Sequence, residues 1–183
     1  MAQKLPKEFL DDQEWEKFRK EYETSDDRSC VLICSSYLDH CLEILVLDTL
    51  VYKDKAYEWL LSDMRPLGTF SAKMRIAFCL NLLPELIYKD LNTIREIRNQ
   101  FAHKLHGLSF STDPILSWCN NLKTPDDYLA GLSKRLYKKA YPKDPRSRFI
   151  FTSAIITSML EGYYHQRATK IHQALLEIQP NFD

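Results

Sequence analysis

Glycine is scarce in this chain, with four in 183 residues. Sheets with tight hairpins need residues that accept positive φ. So few glycines, beside long stretches of Leu, Ile, Lys, Glu and Ala, turn the expectation toward helices joined by short loops. Net charge is missing as well: Lys plus Arg and Asp plus Glu each number 25. That balance excludes a global field able to hold the protein on nucleic acid or an anionic membrane, and leaves such work to local patches. The five cysteines, Cys30, Cys34, Cys41, Cys79 and Cys119, are odd in number, and three fall on one expected helix, which argues against a disulfide framework. Residues 1–6 lead straight into charged positions with no apolar leader, and there is no run of about eighteen uncharged apolar residues. The expectation is a cytoplasmic protein with no membrane span, folded as one all-α domain over residues 1–183: a compact multi-helix bundle with a long central helix and a long C-terminal helix.

The chain divides as follows. From about Pro6 to Glu23, Phe9, Trp15 and Phe18 among charged neighbours predict a short amphipathic helix that covers the core. Ser25-Asp26-Asp27 supply start signals for a long buried helix to about Leu50. A shorter piece, Ala56 to Leu61, ends at Arg65-Pro66-Leu67-Gly68, and Thr69 or Ser71 caps a helix to about Leu83. Pro84 suits the first turn of its successor, which runs to about Leu105 and is closed by Gly107. Asp113-Pro114 then reads as an N-cap with proline at N1 of a short helix through Trp118, and after a second turn at Thr124-Pro125-Asp126-Asp127 a helix extends to about Ala140. Beyond the Pro142 to Pro145 break, a final helix is predicted from about Arg148 to Ile178.

The helix before Gly107 carries the most informative polar residues. At about 100° per residue, Leu91, Ile94, Ile97, Phe101 and Leu105 form a core-facing arc, and Arg98 projects inside it. A guanidinium there must be paired, hydrogen-bonded or aimed into a wet cleft; Asp26, Asp27 and Asp39 are the candidate partners. Arg95, Asn99, His103 and His106 fall on a separate polar stripe.

Arg98-Asn99-Gln100-Phe101-Ala102-His103 has an Arg-x4-His spacing with a polar residue after the arginine, and resembles the HEPN domains, small helical bundles. That resemblance implies a metal-independent ribonuclease in which Arg98 and His103 of two subunits meet in a dimer cleft with Asn99 assisting. A neutral imidazole takes the proton of a ribose 2′-hydroxyl, and the guanidinium holds the phosphate. A larger set of segments is Ser25 to Leu32, Tyr37-Leu38-Asp39, Pro66 to Lys73, Ile94 to His103 and Leu108-Ser109-Phe110. In that order, across roughly residues 20 to 125, they resemble the mannitol operon repressor (MtlR-like) family. This resemblance implies an all-α fold, a role named for repression of mannitol uptake genes, and no recognised DNA-binding motif. No helix-turn-helix with a basic recognition helix stands out in the sequence.

Cys30, Cys34 and Cys41 share a helix face, but free cysteine is a common core residue and no Cys-x2-Cys pair is present, so no metal is expected. Glu161, His165 and His172 align on the last helix and read as a solvated face. Lys134, Arg135, Lys138, Lys139, Lys143, Arg146 and Arg148, with Tyr137 and Tyr141 interleaved, form the one concentrated basic stretch, the candidate nucleic-acid surface. The leading expectation is a cofactor-free transcription regulator that acts through a protein partner as a homodimer. The alternative is an RNA-cleaving HEPN-type enzyme using Arg98, Asn99 and His103, with Asp27, Asp39 and Arg95 as supporting or ion-pair residues.

Overall fold

The computed structural model describes residues 9–178 apart from 51, 63, 105 and 132, with backbone alone at 12, 136, 137, 139 and 167–178. The described residues form an all-α bundle and contain no strand.

Helix α1, Asp12–Thr24, begins later than the sequence suggested because Asp11 builds a capping box: its Oδ1 accepts from Gln13 N at 2.9 Å and Glu14 N at 2.8 Å. Trp15, Phe18 and Tyr22 recur on one side of α1, and the first two lie against the Tyr37 ring of α2. Helix α2, Asp27–Asp48, is capped by Asp26, which accepts from Arg28 N at 2.9 Å and Ser29 N at 3.1 Å. Val31, Leu38, Leu42, Leu45 and Val46 of α2 are fully buried, and the helix packs against α1 and against three of the helices that follow it. Its length and hydropathy would suffice to cross a bilayer, but its apolar window is 67% buried in the bundle, where it makes the core.

Helix α3, Lys53–Ala56, runs into a π-helical turn, Tyr57–Leu61, closed by Ser62 N donating to Tyr57 O at 2.9 Å. The following turn is tight at Gly68, where a Cβ would meet Ser62 O at 2.7 Å. Thr69 caps α4, Phe70–Cys79. That helix stops short of the expected Leu83, since Asn81 adopts φ 56° and Leu82 N turns back to Ala77 O at 2.9 Å.

Helix α5, Glu85–His103, ends two residues before the expected Leu105, and the Arg28 guanidinium donates to the Lys104 carbonyl just past its end. Gly107, at φ 76°, lies in the loop beyond. The expected Asp113 cap is absent: the Asp113-Pro114 bond is cis, and α6, Ile115–Asn120, starts without a side-chain cap. The turn expected at Thr124 to Asp127 is instead the first part of a helix, α7, Thr124–Leu129, and a separate helix, α8, Lys134–Ala140, follows it. Asp90 of α5 caps α7 from across the bundle, accepting from Lys123 N at 2.8 Å, Thr124 N at 2.7 Å and Thr124 Oγ1 at 2.7 Å. Helix α9, Pro145–Ile178, begins three residues earlier than expected because Asp144 accepts from Ser147 N at 2.9 Å.

Candidate functional site

The C-terminal half of α5 presents Arg98, Asn99 and His103 at the surface. Arg98 is exposed, not part of the core arc, and its Nη1 reaches Asn99 Oδ1 at 3.4 Å. Burial changes along the helix. The bundle covers that side at Leu91 and leaves it open two turns later, while Ile94, Ile97 and Phe101 stay buried. Asp26, Asp27 and Asp39 are therefore not its partners. His103 lies exposed in the last turn of α5. Arg95, on the same stripe, pairs with Glu96 and donates to Asn92 Oδ1 at 3.1 Å.

An open cleft lies beyond the end of α5, lined by Asp26, Asp27, Arg28, His106, Leu108 and Arg146. One of its walls is a structural staple. Arg146 Nη1 meets Asp27 Oδ1 at 2.6 Å, while Nη2 donates to Tyr22 O at 3.0 Å and Ser25 O at 2.7 Å. Asp27 Oδ2 accepts Phe110 N at 3.0 Å, so one ion pair ties the end of α1, the start of α2, the start of α9 and the loop before α6.

Two members of the expected basic patch are thus withdrawn from it. Arg146 is held in that staple. Arg148 is 5% exposed, bonded to Tyr141 Oη, Leu122 O and, at 2.7 Å, Asp126 Oδ2. Burial works against its charge, but Asp126 and Tyr141 outweigh burial and raise its pKa. Lys134, Arg135 and Lys138 remain exposed on α8, and Lys143 on the loop after it, while the side chains of Lys139 and Tyr137 lie outside the described residues.

Cys30, Cys34 and Cys41 are buried in the core; the hydrogen bond with Cys30 and burial raise the thiol pKa of Cys34, and burial raises that of Cys41. Glu161 is half-buried, not solvated as expected: Tyr37 Oη donates to its Oε1 at 3.1 Å, and burial raises its pKa. The His172 side chain lies outside the described residues. Among the described residues, no group of three or more His, Cys, Asp or Glu is placed to hold a metal ion.

One polar cluster had gone unread. Lys73 of α4 is 4% exposed, with its ammonium 3.0 Å from Asp39 Oδ1 and bonded to Glu43 Oε2. Asp39, one of three candidate partners for Arg98, pairs instead with this lysine. Burial opposes the Lys73 charge, yet the two carboxylates prevail and hold its pKa above the ordinary lysine value. A signal was present in the sequence: Lys73 precedes Met74 and Ala77 on the buried side of α4, and Asp39 and Glu43 stand four apart on α2.

The profile of the mannitol repressor family matches residues 16–156, from within α1 to the first third of α9. The chain belongs to the mannitol repressor family. Among solved structures, the X-ray structure of the MtlR-HPr complex from Escherichia coli contains a chain similar to this MtlR-family protein, with a TM-score of 0.59 at 20% identity. The match covers 79% of this chain and 95% of that one, and at such identity it establishes a shared fold. No curated protein matches this MtlR-family chain.

Proposed function

We propose that this MtlR-family protein is a cytoplasmic transcription regulator that works as a homodimer by docking a protein partner of the HPr kind, without reading DNA itself. The observation that carries this reading is the fold shared over 95% of a chain whose solved structure is a complex with HPr. The charge distribution supports it. Net charge is zero, and Arg146 and Arg148 are spent inside the protein, which leaves little basic surface for a duplex. Size-exclusion chromatography of the purified chain tests the proposal, run with HPr of the source organism and separately with duplex DNA. Co-elution with HPr is expected, with the free chain eluting as a dimer. Sequence-selective retention of duplex by the chain alone, at physiological salt, contradicts it.

A second reading is favoured by a specific observation: Arg98 and His103 are both exposed, and neither forms an ion pair among the described residues. Two side chains with no structural task, spaced as in a HEPN site, suit metal-independent RNA cleavage across a dimer. His103 would take the 2′-hydroxyl proton, Arg98 would hold the phosphate, and Asn99 would assist. Incubation of wild type and His103→Ala with structured RNA in EDTA decides the matter: cleavage by wild type alone supports this reading, and intact RNA in both lanes removes it.

A further inference from the structure

The cluster around Lys73 is one wall of a pocket. Ser36, Asp39, His40 and Glu43 recur at three- and four-residue intervals, so they share one face of α2. Opposite them stand Lys73 of α4, Tyr57 and Leu61 of the π-helical turn, and Gly68 of the tight turn. Tyr57 and Leu61 of this wall lie at the two ends of the π-helical turn, and any side chain at position 68 would collide with Ser62 O.

An ion triad whose only task is to fix α2 against α4 would be closed on all sides. This one is open. The Lys73 side chain is 4% exposed, but Asp39 is 33% and Glu43 14% exposed, so the ammonium forms the floor and the carboxylates face the space. Asp39 Oδ1 is buried against the ammonium at 3.0 Å, while the lysine also donates to Glu43 Oε2. Ser36 is exposed, and neither its hydroxyl nor the His40 ring makes a hydrogen bond among the described residues. The pocket therefore offers carboxylate acceptors held in place by a buried cation, beside a hydroxyl and an imidazole that can each donate or accept.

We propose that this pocket binds a neutral polyhydroxylated small molecule, a sugar or sugar alcohol, whose hydroxyls donate to Asp39 and Glu43 and accept from Ser36 and His40. Charge selects this class. Two carboxylates and one ammonium leave a net charge of −1, which repels phosphate esters. An amine or metal ion would have to sit against the buried Lys73 ammonium and compete for the same oxygens. Hydroxyls use the free lone pairs with neither penalty. The inference stands apart from the protein-partner reading, so either can fail while the other holds.

Isothermal titration calorimetry of the full chain with D-mannitol, D-sorbitol and D-glucose, and in parallel with glucose 6-phosphate and 1,4-diaminobutane, tests the proposal. Saturable heat is expected from at least one neutral polyol and from neither charged probe. The double variant Ser36→Ala/His40→Ala should weaken that binding by roughly tenfold or more, with an unchanged melting temperature in the absence of ligand. If the double variant fails to fold, Ser36→Ala alone should still show the weakening, since Ser36 is exposed. No heat from any polyol, stronger binding of the phosphate ester or the diamine, or wild-type polyol affinity in the folded variant would each overturn it.

Discussion

Arg98 and Arg148 are the same residue type on amphipathic helices, and they have opposite fates. Arg98 meets water and its neighbour Asn99, whereas Arg148 is enclosed by Asp126, Tyr141 and Leu122 O. Arg98→Ala should change stability by no more than about 0.5 kcal/mol, as for other surface positions. Arg148→Ala should cost roughly 3–5 kcal/mol, the usual loss on breaking a buried pair, toward the lower end because Asp126 is 40% exposed. Urea unfolding of the two variants measures the contrast.

Glu161 gives a prediction with a definite sign. Its pKa in the folded chain is raised above the ordinary 4.5, chiefly by burial and against the Tyr37 hydrogen bond and His165. The native state thus binds this proton more tightly than the unfolded chain, and this group's contribution weakens as pH rises from about 4.5 through the folded pKa. Glu161→Gln keeps an acceptor for Tyr37 Oη and removes the charge. The variant should melt at or above the wild-type temperature at neutral pH, with the advantage vanishing below about pH 4.5, in thermal scans across that range.

At the scale of elements, what was legible was local. Asp26, among the three start residues Ser25-Asp26-Asp27, and Thr69, one of two candidates with Ser71, cap the helices they precede, because a cap depends on a side chain and amides two or three residues away. The arc of Leu91, Ile94, Ile97 and Phe101 was legible for the same reason, being a helical repeat. The exposure of Arg98 was not, since it depends on which neighbours reach that height of the bundle. Asp90 shows the same limit: its partners lie 33 and 34 residues away, so nothing near it in the chain marked it as the cap of α7. Asp90→Ala should strand the Lys123 and Thr124 amides and cost about 1–3 kcal/mol, while Asp90→Asn, which keeps an acceptor, should cost less. Hydrogen exchange at Thr124 should accelerate in step with the loss of stability. The pairing of Lys73 with Asp39 and Glu43 was hidden in the same way, as the acids stand on a different helix some thirty residues earlier.

For the whole molecule, α2 is the axis on which the other elements are arranged. Its apolar surface is covered by α1, α4, α5 and α9, and its polar stripe is left to line the pocket with Lys73. The outer surface carries Arg98 and His103 at one helix end and the cations of α8 at another. On the reading proposed above, such surfaces serve contact with a protein partner. The most direct test of that claim is a calorimetric titration of the purified chain with HPr of the source organism at physiological salt. The account predicts saturable binding with a dissociation constant in roughly the micromolar range or tighter. Absence of heat at concentrations well above that range, confirmed by separate elution of the two proteins, would contradict it.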